Sequence, residues 1–215
     1  SDDKSLALLE NATVEFINKD GNVFETFTTD AQGAFVSNYL DKKEYGDKIA
    51  FDVRVSNDKY LTQNFVVDET LANNPHIQLD YLIAKSEVGV DIGVVFDLKP
   101  IYFDVDKSNI RPDAAIELDK IVKIMNENPD IKIELGSHTD CRASKAYNKS
   151  LSNRRAVSSA KYIQTKIDNP KRIYGKGFGE SQLVNDCECE GNVVSDCSDE
   201  EHQANRRTEF KIVKK

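Results

Sequence analysis

The 215-residue sequence predicts an α+β protein: a small antiparallel β-sandwich, then a βαβαβ unit forming an α/β sandwich on a mixed sheet. Three observations carry this. Residues 11–83 set short apolar runs of period two between turn signals, at roughly ten-residue spacing. Residues 109–129 repeat apolar side chains at helical spacing. Beyond them, apolar strand-like runs alternate with a second helical stretch, the order expected of strands connected through helices.

In the first half, NATVEFIN reads as a strand, with Val14 and Phe16 on one face and Thr13 and Glu15 on the other. Asp20-Gly21 is a hairpin signal, and VFETFTT continues as the partner strand. Asp30 to Gly33 marks the next turn, and AFVSNYL is expected to be a strand. IAFDVRVS keeps strict alternation at Ile49, Phe51, Val53 and Val55. YLTQNFVV and IQLDYLIA complete the set, so residues 1–84 are assigned to the sandwich. His76, beside Pro75, reads as a solvated loop residue, and Asp20, Asp30 and Asp58 as turn residues.

Residues 85–98 form the junction, a short linker leading into a strand, and residues 99–215 the second domain. PIYFDVD is expected as a strand with Ile101 and Phe103 opposite Tyr102 and Asp104. NIRPDAAIELDKIVKIMNENP is a helix: Pro112 suits its first turn, and Asp113 and Glu117 favour the positive end of its dipole. Ala115, Leu118, Val122 and Met125 form its expected core stripe, and Asn128-Pro129 ends it. IKIELGS points Ile131, Ile133 and Leu135 inward. A second helix runs from Ser144 to about Lys166, with Ala156, Ala160, Ile163 and Ile167 on its apolar side. RIYGKGFGES is a Gly-rich strand and turn, and RTEFKIV closes the sheet with Phe210 and Ile212 inward.

A net charge of -8 and a pI near 5.0 argue against a nucleic-acid partner, which needs a basic face. No apolar run approaches the roughly 18 residues of a membrane span. The chain opens on the polar SDDKS, without an initiator Met or a signal peptide, and so reads as a processed or cloned fragment. Cys141, Cys187, Cys189 and Cys197 are an even set that fits two disulfides, with three possible pairings. A zinc site of Cys187, Cys189, Cys197 and His202 is the alternative, although the CEC spacing is tighter than structural zinc pairs use.

The candidate site lies in LGSHTDCRASKAYNKSLSNRRA. Asp140 ends an apolar strand, Arg155 sits inside the following helix, and Asn148 lies between them. A carboxylate and a guanidinium held together suit a zwitterionic ligand: the acid takes an ammonium and the arginine forks onto a carboxylate. Taken singly, Asp140 also reads as a helix cap and Arg155 as a solvated surface arginine. His138, Asp140 and Cys141 invite a hydrolase reading, yet no supporting ligand follows and neither G-x-S-x-G nor H-E-x-x-H occurs. Non-catalytic binding without a cofactor is therefore expected.

Four segments carry a resemblance. IYFDVDKSNIRPDA, GSHTDCR, YNKSLSNRRA and EEHQANRRTEF occur in the order found in the OmpA-like peptidoglycan-binding domain, which residues 94–213 resemble. The resemblance implies a domain that grips the diaminopimelate residue of the peptidoglycan stem peptide. It implies that Asp140 accepts the ligand ammonium, Arg155 clamps its carboxylate and Asn148 hydrogen-bonds it, while Asp106 and Arg206 close the rim. Cys141 and Arg142 depart from the family's usual residues, and Cys141 suggests a disulfide pinning this loop. TFTTDAQGAF and FDVRVSNDKYLTQNFVV make the first half similar to the carboxypeptidase-regulatory-like, transthyretin-type sandwich. The pairing resembles outer-membrane-associated proteins of Bacteroidota, including a periplasmic subunit of the type IX secretion system. That implies a periplasmic location and a protein partner for the sandwich. The alternative it implies is a structural part of a secretion or motility machine.

Overall fold

The structure, a computed structural model, describes residues 8–72, 77–189 and 195–214. Pro75 and His76 lie outside the described residues. The chain divides into two compact units, Ser1–Lys85 and Ser86–Lys215.

In the first unit, strands β1 (Thr13–Ile17), β2 (Val23–Thr28), β3 (Lys48–Ser56) and β4 (Gln63–Thr70) form an antiparallel sheet in the order β2-β1-β3-β4. Alternation sets one face: Val14, Phe16, Ile49, Phe51, Val53, Val55 and Val67 are buried together. Phe16 is central, with ring centroids of Phe51 at 4.5 Å, Phe27 at 5.2 Å and Phe35 at 6.0 Å. Strand β2 loses strict alternation because the register jumps from Phe16 opposite Glu25 to Ile17 opposite Val23. The bulge leaves Phe24 without a ladder partner and brings its ring within 5.8 Å of Phe51.

Two expected strands of this unit do not pair. Residues 34–40 run without ladder partners into a short 3-10 helix at Tyr39–Lys42. Residues 77–84 are also outside the sheet, yet Ile77, Leu79, Tyr81 and Ile83 pack on the core at alternate positions. Period-two patterning reports which side chains are buried; it does not require the backbone to have a neighbouring strand.

In the second unit, helices α1 (Ile92–Val95), α2 (Pro112–Glu127), α3 (Lys145–Gln164) and α4 (Asp199–Asn205) surround strands β5 (Lys132–His138), β6 (Ile173–Gly179) and β7 (Thr208–Lys214). The sheet order is β6-β5-β7, with β6 parallel and β7 antiparallel to the central β5. The mixed sheet with helices is the expected class. Residues 92–95 form a helical turn where a strand was expected, because Asp91 caps it: its carboxylate accepts from the Gly93 amide at 2.9 Å and from the Phe210 amide at 3.0 Å.

The segment 100–106 is a second correction, since it forms a loop and not a strand. Ile101 is buried, but Val105 is 92% exposed, and the carbonyls of Asp104 and Lys107 accept from Arg155 instead of a strand neighbour. A third correction concerns α2. Its buried residues are Ala114, Glu117, Leu118, Ile121, Ile124 and Met125, whereas Ala115 and Val122 are partly exposed. The stripe is rotated by one residue, and Glu117, expected as a partner of the helix dipole, is turned inward: its carboxylate accepts from the Lys99 amide at 3.1 Å and from Lys120 at 2.9 Å.

Glycines set where α3 lies on the sheet. A Cβ at Gly175 would stand 2.2 Å from the Ala156 carbonyl oxygen, and one at Gly177 would stand 2.1 Å from the Asn153 amide nitrogen. Only glycine lets the helix backbone approach the strand this closely. Ser152 Oγ accepts from the Gly179 amide at 2.8 Å, and Lys149 donates to the Gly177 carbonyl at 2.6 Å. The first half of α3 is thereby fixed against the C-terminal end of β6.

Candidate functional site

Asp140 follows β5 by two residues, in the loop that leads to α3. The loop's start is held on both sides, with the His138 amide donating to the Arg207 carbonyl at 3.0 Å and the Thr139 amide to the Gly179 carbonyl at 2.9 Å. Asp140 is not the helix cap; Ser144 is, its hydroxyl accepting from the Tyr147 amide. The Asp140 carboxylate is instead gathered by arginines. Oδ1 accepts from the Arg142 amide at 3.2 Å. Oδ2 accepts from Arg142 Nε at 3.1 Å and Nη2 at 2.9 Å, and from Arg206 Nη1 at 2.5 Å. Burial pushes this carboxyl up, but the bonds from Arg206 and Arg142 outweigh it, so it stays below the usual carboxylate range. Asp140 is an anion surrounded by cations.

Helix α4 supplies partners from both ends. Asp199, in its first turn, accepts from Arg142 Nη1 at 2.7 Å. Arg206, at its C-cap, reaches Asp140 and is itself steadied by the Gln203 side chain. The helix is closed by a capping box between Ser198 and Glu201. Buried Asn205 anchors it: Oδ1 accepts from the Val184 amide at 2.8 Å, and Nδ2 donates to Asn185 at 2.7 Å.

The four cysteines form two disulfides, Cys141–Cys189 and Cys187–Cys197. The first ties the residue after Asp140 to the loop before α4, and the second ties that loop to the start of α4. Sulfurs of Cys187 and Cys197 and a Glu201 oxygen lie within 4.8 Å of one another, but those sulfurs are bonded to each other and offer no thiolate.

Arg155 lies on α3, half-buried, with its guanidinium 5.0 Å from the Phe103 ring centroid. Nε donates to the Lys107 carbonyl at 3.0 Å and Nη2 to the Asp104 carbonyl at 3.3 Å. Among the described residues Nη1 makes no hydrogen bond. Burial lowers its pKa, and the nearby positive charges of Arg154 and Arg206 act the same way. Asp106 sits on this loop with φ at 58°, a left-handed conformation that aspartate tolerates better than most residues. The Tyr147 hydroxyl donates to its carboxylate and Arg154 stands 3.6 Å away. The loop 103–107 is thus strapped to α3 by Tyr147, Arg154 and Arg155.

Asn148 is 2% exposed, and its Nδ2 donates to the carbonyls of Asp140 and Ala143 at 3.0 and 3.2 Å and to the Glu180 carboxylate at 2.5 Å. It shapes the Asp140 loop from within. The structure joins Asp140 to Arg206 directly, while Arg155 is held by the loop carbonyls of Asp104 and Lys107 and is near enough to Arg206 for its charge to lower the Arg155 pKa slightly. Asp106 joins them through Tyr147 and Arg154. Sequence reasoning did not foresee the Arg142 fork, Tyr147, Glu180 or Asp199. Arg142 had a signal: an aspartate whose side chain accepts from the amide two residues on is a common turn.

His138 belongs to a separate cluster. It is buried, stacks on Phe178 with centroids 4.9 Å apart, and has Nε2 3.5 Å from Glu209. Among the described residues it shares no side-chain partner with Asp140, and Cys141 is bonded to Cys189.

Residues 102–195 match the OmpA family. The chain carries an OmpA-family domain. The chain is 33% identical across 114 residues to a photosystem I P700 chlorophyll a apoprotein A2 of Gloeobacter violaceus, covering 52% of this chain and 12% of that protein. It is 32% identical across 112 residues to outer membrane protein A of Bordetella avium, covering 52% of this chain and 53% of the relative. It is 30% identical across 88 residues to a peptidoglycan-associated lipoprotein of Rhizobium meliloti, covering 41% and 50%. Each match spans about half the relative's length or less. Among solved structures, the peptidoglycan-associated lipoprotein of Burkholderia pseudomallei aligns with 53% of this chain and 90% of its own at a TM-score of 0.43 and 19% identity. The OmpA-family match ends before α4, so Arg206 and Asp199 lie beyond the matched residues.

Proposed function

We propose that this chain binds peptidoglycan without catalysis, through the diaminopimelate residue of the stem peptide, and anchors an outer-membrane-associated protein to the cell wall in the periplasm. The OmpA-family domain and the likeness to a peptidoglycan-associated lipoprotein support wall anchoring. What supports the finer reading is an Asp140 kept ionised by its arginines, together with an Arg155 whose Nη1 makes no hydrogen bond among the described residues. The diaminopimelate head bears an ammonium and a carboxylate on one carbon. Asp140 takes the first and Arg155 the second, with Arg206 holding the Asp140 carboxylate. Phe103 and the loop carbonyls hold the Arg155 plane, so little side-chain entropy is lost on binding. Disulfides persist in the oxidising periplasm, which fits two of them beside the site.

Calorimetry with a soluble muropeptide tests this. Arg155→Ala and Asp140→Asn, each folded by circular dichroism, should lose most of the affinity of the parent. A muropeptide with lysine in place of diaminopimelate lacks the second carboxylate. It should bind the parent weakly and Arg155→Ala no worse than the diaminopimelate form does. Folded variants that bind as tightly as the parent would sink the reading.

A further inference from the structure

We infer that Arg142 is an internal competitor for the ligand's ammonium, and that Asp199 is the partner that keeps it when the ligand displaces it. This inference rests on the proposed role of Asp140. The geometry is specific. Arg142 Nε and Nη2 both sit on Asp140 Oδ2, at 3.1 and 2.9 Å, where an incoming ammonium needs to be. An ionised carboxylate has about four acceptor positions. Arg142 and Arg206 together place three donors on Oδ2 and one on Oδ1. The site is therefore filled by the protein's own cations before a ligand arrives.

The two arginines are not equally committed. Arg206 is fixed at the C-cap of α4 and packed against Gln203. Arg142 has a second carboxylate already in hand, Asp199 Oδ1 at 2.7 Å from Nη1. The Asp199 side chain is 84% exposed, so it can follow Arg142 outward. Binding then becomes an exchange. The ligand ammonium takes Oδ2, Arg142 keeps Asp199, and no charge is left unpaired. The Arg142 amide bond to Oδ1 is backbone and persists, so the loop retains its turn. Arg142 thereby sets a threshold: a ligand with an ammonium alone gains little from the exchange, whereas one that also engages Arg155 overcomes it.

The experiment compares muropeptide affinity by calorimetry across the parent, Arg142→Ala, Asp199→Asn, the double variant and Arg155→Ala. Arg142→Ala should bind the diaminopimelate muropeptide about two- to fivefold tighter, the range expected for removing a competing, partly exposed ion pair. Asp199→Asn should bind about twofold more weakly, because displaced Arg142 then has no partner. The double variant should match Arg142→Ala, since Asp199 acts only through Arg142. A merely structural Arg142 would give weaker binding on removal, and that result overturns the inference, as does unchanged affinity. If the parent binds and Arg155→Ala does not, the anchoring reading stands whatever Arg142 does. If the parent does not bind the muropeptide at all, both fall.

Discussion

At the scale of single residues, the second unit contains two buried charge arrangements with opposite logic. Asp140 is kept ionised by cations, while His138 is kept neutral. Burial pushes the His138 imidazole down to about 4, Arg207 and Lys211 push the same way, and Glu209 opposes them. An unfolded imidazole titrates near 6.5. Between these values the unfolded chain binds more protons than the folded one, so stability rises with pH. The contribution is complete above about 6.5 and is lost as pH falls toward about 4, with a ceiling of about 3 kcal/mol. Urea midpoints measured at about pH 4.5 and about pH 7 should therefore differ clearly in the parent, and much less in His138→Leu. Equal slopes in the two proteins would refute this. For the ligand, Arg155→Ala should cost about 2–5 kcal/mol of muropeptide affinity, and Arg155→Lys should also weaken it, because an ammonium cannot fork onto two oxygens. The residues of this site were legible in unequal measure. Asp140 and Arg155 could be named from strand end and helix position. Asn148 could be placed, but not its burial: nothing in the local sequence tells that Glu180 and two carbonyls consume its amide.

At the scale of elements, the contact of α3 with β6 positions Arg155. Gly177→Ala would drive a methyl carbon into the backbone of Asn153, which cannot move without shifting α3. Overpacking typically costs about 1–3 kcal/mol, and a backbone clash belongs at or above the top of that range. Thermal denaturation should show this loss, and Lys176→Ala next to it, an exposed change, should not. The disulfides give a second test. Peptide mapping without reduction should recover Cys141 linked to Cys189 and Cys187 linked to Cys197. Any other pairing contradicts the loop arrangement. Removing either bridge should cost about 2–4 kcal/mol. Most elements could be read from pattern: Ser144 announces α3, the alternation of β1 and β3 is strict, and that of β5 holds through Leu135. Residues 34–40, 77–84 and 100–106 could not be told from strands. Their side chains alternate as a strand's do, and the difference lies in where their backbone groups find partners, which depends on distant chain such as Arg155. The rotation of α2 was hidden for a related reason, since the partners that satisfy buried Glu117 include the Lys99 amide, which lies outside the helix.

At the scale of the whole chain, each unit has its own apolar core, and the candidate site lies wholly in the second. We expect purified sacculi to retain a fragment of residues 86–215 and not one of residues 1–85. Retention of the first fragment would show a wall contact that the OmpA-family domain does not provide. The two-part division was legible because the rhythm of the sequence changes from period two to helical spacing after the junction.

The long reach of the Asp140 contacts has a consequence in time. Asp140 meets Arg206 across 66 residues, Arg142 meets Asp199 across 57, and Cys141 meets Cys189 across 48. A chain that emerges from its N-terminus presents Asp140 and Arg155 well before α4 exists. Until α4 arrives and the bridges close, the acid lacks Arg206 and the loop lacks its tether. On the proposed reading, the Asp140 site is assembled only once α4 has joined the loop that carries it.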